Sequence, residues 1–208
     1  MSELFQIFPV PIYCNKAESD TFDEVQEELN TVCDKIEFSQ MENWTRDTHE
    51  LNKDPFQSNV LKKYNCEKTI KFLKECVNDY LIKTTPFDYN GFPFVIQSAW
   101  LTKTKKHHYA HEHHHGDADI SGVYYIKTNG EDGNLQFDNI NSSMSGNFIM
   151  GALTSKQVAP LDTGLVMLWP GPLKHGTQEN TTDNERISLS FNVNIARPCF
   201  SYKDGAFD

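Results

Sequence analysis

KHHYAHEHHHGDADISGVYYI, residues 106–126, holds six of the chain's eight histidines and ends in a run of β-branched and aromatic residues. Side chains alternate along extended backbone, so residues two apart share a face and an H-x-H pair can put two imidazoles on one ion. A third ligand has to come from elsewhere. His175 is the only histidine after the cluster, in WPGPLKHGT just past GLVMLWP (164–170).

The same β texture extends outward from this stretch. FPFVIQSAWLTKT (92–104), ISGVYYIKT (120–128), NLQFDNI (134–140), NFIM (147–150), GLVMLWP and RISLSFNVNIA (186–196) are candidate strands, separated by Gly, Asn and Asp clusters. Asn129-Gly130 and Asp132-Gly133 predict a tight hairpin between the second and third. Before Pro86 the period is helical. Phe22, Val25, Leu29, Val32 and Ile36 mark an amphipathic helix over 21–38, with Thr21 and Glu24 spaced as a capping box. Ile70, Leu73, Val77, Tyr80 and Leu81 mark a second over 67–82. Two helices followed by at least six short strands predict a mainly β (α+β) fold, with helices packed on one face of a sandwich or barrel. No repeat or linker divides residues 1–208, so one domain is expected: helical support over about 1–90 and a β core over about 91–197.

Composition narrows the function classes. With 19 basic and 29 acidic side chains the net charge is −10, which opposes a broad phosphate-binding surface, so a nucleic-acid partner is not expected. Cysteines 14, 33, 66, 76 and 199 are odd in number and form no CxxC pair, which argues against a disulfide framework or a thiolate zinc site and predicts a reducing cytoplasm. No apolar run reaches the roughly 20 residues needed to span a bilayer, so no membrane partner is expected. Oligomeric state stays open, with a homodimer among the options.

Three neutral nitrogen ligands with open positions suit Fe(II) among first-row metals, whereas a closed zinc site would want a fourth ligand, often cysteine. Clustered histidines can also be a solvated loop that picks up metal adventitiously. Eleven residues after His175, Arg186 opens the strand RISLSF. Period two puts Arg186, Ser188 and Ser190 on one face and Ile187, Leu189 and Phe191 on the other. An inward arginine calls for an anion, and a dicarboxylate offers a bidentate partner. A surface arginine paired with Asp183 or Glu185 is the bland alternative.

The order of parts resembles the 2-oxoglutarate- and Fe(II)-dependent oxygenase superfamily: a Trp-containing strand, H-x-H, SGVYY, a Gly-led strand ending in Trp-Pro, a lone His, then RISLSFN. The nearest likeness is to small oxygenase-like proteins of bacteria and of marine cyanophages, which also open with a phrase like LFQIFPVPIY. The resemblance spans about residues 3 to 197 and implies a double-stranded β-helix (jelly-roll, cupin-like). It further implies that His113 is the first metal ligand and His175 the distal one. Arg186 would anchor the far carboxylate of 2-oxoglutarate, with Ser188 completing an R-x-S pattern. Tyr125 resembles a tyrosine that bonds the co-substrate in related hydroxylases, and a core aromatic is the other reading of it. The superfamily carries H-x-D where this chain has His113-His114-His115. The literal match is His115-Gly116-Asp117, and His111-Glu112-His113 is a third register. Placing His113 and His115 as the pair leaves six residues from His115 to Ser121, the spacing expected of the close family, with Asp117 as the alternative second ligand.

The activity implied is that of a dioxygenase (hydroxylase) using Fe(II), 2-oxoglutarate and O2, with ascorbate as a candidate reductant, on an unidentified small-molecule or peptidyl substrate. It would work in the cytoplasm, that of the host if the chain is phage-encoded. Two other readings stand beside it: a three-histidine cupin-type dioxygenase without 2-oxoglutarate, and a non-catalytic metal-binding β-sandwich module. Trp100, Tyr109 and Trp169 are candidates to shape a substrate pocket, although both tryptophans also suit a core.

Overall fold

The computed structural model describes residues 10–40, 47–48, 58–84, 93–139 and 156–196. The candidate strand 147–150 lies outside the described residues.

The helical period is realised as α1 (Ser19–Cys33) and α3 (Glu67–Thr84), with one short turn, α2 (Val60–Lys63), between them. Val25, Leu29 and Val32 of α1 and Phe72, Leu73, Cys76, Val77, Tyr80 and Leu81 of α3 are the buried stripes. The first helix starts two residues before the expected capping box and stops five before Phe38. Its opening turn is closed by the Glu18 carbonyl, which accepts from the amides of Thr21 and Phe22, and Glu18 makes no side-chain cap. At the other end the Asp34 amide folds back onto Asn30 and Val32.

The described residues form ten strands: β1 (Tyr13–Lys16), β2 (Ser39–Gln40), β3 (Asp47–Thr48), β4 (Phe94–Thr104), β5 (Ile120–Lys127), β6 (Leu135–Phe137), β7 (Gln157–Ala159), β8 (Leu165–Pro170), β9 (His175–Thr177) and β10 (Arg186–Ile195). They form a seven-stranded sheet, β1-β8-β5-β10-β4-β3-β2, and a three-stranded sheet, β7-β6-β9. Every pairing is antiparallel. This is the jelly-roll double-stranded β-helix that the resemblance implies.

Alternation divides the large sheet into two chemistries. Ile96, Ala99, Leu101, Ile120, Tyr124, Ile126, Leu189, Phe191 and Val193 pack with the buried stripes of α1 and α3 into one apolar core. A smaller cluster (Val123, Tyr125, Leu135, Phe137, Met167, Trp169 and Leu173) joins the large sheet to the small one. Adjacent Tyr124 and Tyr125 thus go to opposite sides, Tyr124 beneath α1, where its hydroxyl accepts from Gln26 at 3.1 Å.

The hairpin expected at 129–133 does not form, because β5 pairs with β8 and β10 whereas β6 pairs with β7 and β9. Gly130 and Gly133 do take positive φ. The buried Asp132 carboxylate accepts from Thr128 Oγ1, the Asn129 amide and Asn184 Nδ2. The turn is real, but it carries the chain from one sheet to the other.

Candidate metal centre and anion cavity

The loop between β4 and β5 is laced along β9 by backbone hydrogen bonds. The amides of His113 and His175 each donate to the other's carbonyl at 2.8 and 2.9 Å, Thr177 N donates to Ala110 O at 3.0 Å, and Ala110 N donates to Thr177 Oγ1 at 2.8 Å. Such close approach needs Gly176, since a Cβ there would lie 2.8 Å from the Ala110 carbonyl oxygen. His113 and His175, 62 positions apart in the chain, become neighbours on an antiparallel bridge.

His113, His115 and His175 each bring one ring nitrogen within 4.8 Å of the others. His175 is buried and the other two are half-buried. Each Nδ1 faces an oxygen: His111 O at 2.7 Å from His113, Asn192 Oδ1 at 2.6 Å from His115, and Leu173 O at 2.8 Å from His175. An acceptor at Nδ1 holds the ring proton there and leaves the lone pair on Nε2, the tautomer an Nε2-bound metal requires. Three neutral imidazoles, with no cysteine in the group, can hold Fe(II) or a similar divalent ion and leave positions open. Of the other registers, His111 and Asp117 are exposed and stand outside the group. His111 packs instead on the Tyr109 ring, with centroids 4.8 Å apart.

The three histidines line a cavity shared with Trp100, Thr102, Thr104, Tyr125, Trp169, Arg186, Ser188 and Ser190. The register explains this wall: Arg186, Ser188 and Ser190 of β10 lie across from Thr104, Thr102 and Trp100 of β4, all on the inward phase of their strands. Tyr125 lies across from Ser188 on the other flank. Both tryptophans therefore serve as cavity wall, and Trp169 meets His175 edge to face with ring centroids 4.8 Å apart and its Nε1 3.3 Å from His175 Nδ1, a longer contact than the 2.8 Å to Leu173 O.

Arg186 is 3% exposed, which removes the surface reading. Asp183 pairs with Lys106 and Glu185 with Lys103 instead. Arg186 Nη1 donates to the carbonyls of Asp132 and Gly133, and Nη2 donates to Thr104 Oγ1 at 3.2 Å. Gly133 can stand this close because its φ is +98° and it carries no Cβ. Among the described residues no carboxylate pairs with this guanidinium, and its Nε has no partner. Burial pulls its pKa below the ordinary arginine value, against the opposing pull of Tyr125 and Asp132. The buried Trp100 Nε1 and Thr102 Oγ1 also lack partners. Burial pushes the Tyr125 phenol up to about 12, so it is un-ionised near neutral pH. A buried cation beside unsatisfied polar groups is costly unless an anion completes it, and a dicarboxylate reaching from the metal to Arg186 would do so.

Sequence reasoning overlooked Thr104, Asn192 and Ser121. The first two share the inward phase of residues it did choose, so period two alone could have found them.

Residues 98–192 match a family model described as "Putative 2OG-Fe(II) oxygenase". No curated protein matches the chain in sequence. Among solved structures, HygX from Streptomyces hygroscopicus, with nickel, 2-oxoglutarate and hygromycin B bound, is similar with a TM-score of 0.58 at 10% identity, over 92% of this chain and 84% of that one. A 2OG-Fe(II) oxygenase family oxidoreductase from Burkholderia pseudomallei gives 0.56 at 11%, over 86% and 92%. A prolyl-4-hydroxylase from Pseudomonas putida gives 0.53 at 15%, over 91% and 94%. At these identities the structural likeness concerns the fold. Taken with the sequence match over residues 98–192, the β core of this chain is similar to the 2-oxoglutarate- and Fe(II)-dependent oxygenases.

Proposed function

We propose that this chain is an Fe(II)- and 2-oxoglutarate-dependent dioxygenase whose metal ligands are His113, His115 and His175. Arg186 anchors the far carboxylate of the co-substrate, with Ser188 and Tyr125 beside it. The observation that carries the reading is a buried guanidinium without an acidic partner among the described residues, in the same cavity as three imidazoles whose Nδ1 atoms all face acceptors. A cupin-type dioxygenase without co-substrate would leave that guanidinium without a task.

With iron bound, the chemistry supplied is oxidative decarboxylation of 2-oxoglutarate to succinate and carbon dioxide, coupled to transfer of one oxygen atom from O2 to a substrate. The chain's own work is positional. Arg186 and Thr104 fix one end of the cavity, the histidines fix the other, and the walls of Trp100, Trp169 and Tyr125 limit water between them. Tyr125 is a hydrogen-bond donor there, being protonated. The odd number of scattered cysteines, with no CxxC pair, supports a reducing cytoplasm as the place of action. No helix among the described residues is long and apolar enough to cross a membrane.

The test is succinate formation from 2-oxoglutarate in air, dependent on added Fe(II), together with a mass search of a treated lysate for products heavier by one oxygen. Tight zinc binding without 2-oxoglutarate turnover would instead favour a non-catalytic metal-binding module.

A further inference from the structure

The residue that stands where the superfamily carries a carboxylate ligand is His115, and it is held differently from its two companions. A carboxylate has two equivalent oxygens and no tautomer. An imidazole has one lone pair, and its place depends on where the ring proton is kept. For His113 and His175 the proton is kept by main-chain carbonyls two residues earlier in the chain. His115 Nδ1 faces a side chain instead. Its acceptor is a side chain from another strand, Asn192 Oδ1 at 2.6 Å, with Ser121 Oγ 3.0 Å from the same ring nitrogen and 3.2 Å from Oδ1.

We infer that Asn192, braced by Ser121, is the positioning residue that sets the orientation and donor strength of His115; this rests on the metal-centre reading above. The triangle is built into the sheet. Ser121 is fully buried on β5 and lies directly across from Asn192 on β10. Asn192 continues the inward phase of Arg186, Ser188 and Ser190, and the pairing with β4 shifts register only after it. One strand therefore carries the anion-binding guanidinium at one end and the metal-tuning amide at the other. The neutral amide leaves His115 a neutral ligand. A carboxylate in its place would draw on the Nδ1 proton, push electron density toward Nε2, and restore part of the negative charge that the missing aspartate would have given the ion.

The experiment is an anaerobic titration of the metal-free full chain with Co(II), read by affinity and by the visible ligand-field spectrum, with the apo melting temperature recorded for each variant. Asn192→Ala should weaken binding on the order of 10- to 100-fold. Asn192→Asp should bind at least as tightly as wild type with a shifted spectrum, because an acceptor is restored with added charge. Ser121→Ala should fall between wild type and Asn192→Ala. Wild-type affinity and spectrum in both Asn192 variants would overturn the inference, as would equal loss in both with apo melting unchanged. If Asn192→Ala does not fold, the Asn192→Asp spectrum decides alone. Failure of the wild-type chain to bind Co(II) would instead overturn the metal centre itself, and this inference with it.

Discussion

Arg186→Ala should weaken 2-oxoglutarate binding by about 2–5 kcal/mol, the cost of removing one partner of a desolvated, hydrogen-bonded charge pair. At 1.4 kcal/mol per decade this is roughly 30- to 4,000-fold in Kd. The upper part of the range is expected, since the guanidinium is 3% exposed and no lysine or second arginine among the described residues lines the cavity. The substitution also strips the Asp132 and Gly133 carbonyls and Thr104 Oγ1 of their donor. Each buried group left unsatisfied costs about 1–3 kcal/mol, so the apo protein should melt at a lower temperature as well. Arg186→Lys should recover only part of the binding, because an ammonium keeps the charge and loses the planar fork. Calorimetric titration of 2-oxoglutarate into the Co(II)-loaded protein, below the melting temperature of each variant, separates the two effects. Co(II) affinity should stay near wild type in both. Arg186→Ala binding 2-oxoglutarate within about threefold of wild type would refute the anchoring role.

Three further outcomes are expected. His113→Ala and His175→Ala should each abolish Co(II) binding in the same titration, while His111→Ala and Asp117→Ala, at exposed positions outside the group, should leave it unchanged. Gly176→Ala places a methyl 2.8 Å from the Ala110 carbonyl, so it should cost about 1–3 kcal/mol of stability by overpacking and weaken metal binding by spreading His113 from His175, both measurable by melting and titration. The phenols of Tyr80, Tyr124 and Tyr125 are each raised by burial from 10.0 to about 12. Between pH 10 and 12 the unfolded chain loses these protons while the folded chain keeps them, so stability is full below 10 and falls as pH rises through 12. Phenolate absorbance should lag behind that of a denatured control until the protein unfolds, and Tyr125→Phe should remove one lagging group.

Much of this molecule follows from its sequence alone, because the signals concerned are local. The 3.6-residue period of α1 and α3 and the two-residue period of RISLSFN are consequences of backbone geometry, and each burial stripe can be read before any partner is known. The same period put Arg186 and Ser188 on the inward face, and the histidine-rich loop announced itself by composition. The tertiary structure alone decided matters that depend on a distant partner. A Gly-rich turn at 129–133 signals a change of direction but not which strand comes next, so the expected hairpin became a crossing between sheets. Strand β9 is three residues long, too short for a period, and exists because β6 lies beside it. Among three H-x-H/D registers, local spacing gives each pair the same reach. What brings His113 beside His175 is a pair of backbone hydrogen bonds between segments 62 positions apart that Gly176 leaves room for, while the bond from the His115 amide to the Gly171 carbonyl sets His115 close to them. The acceptor on His115 likewise depends on β5 and β10 lying side by side, so Asn192 acquires its task only when the sheet is assembled.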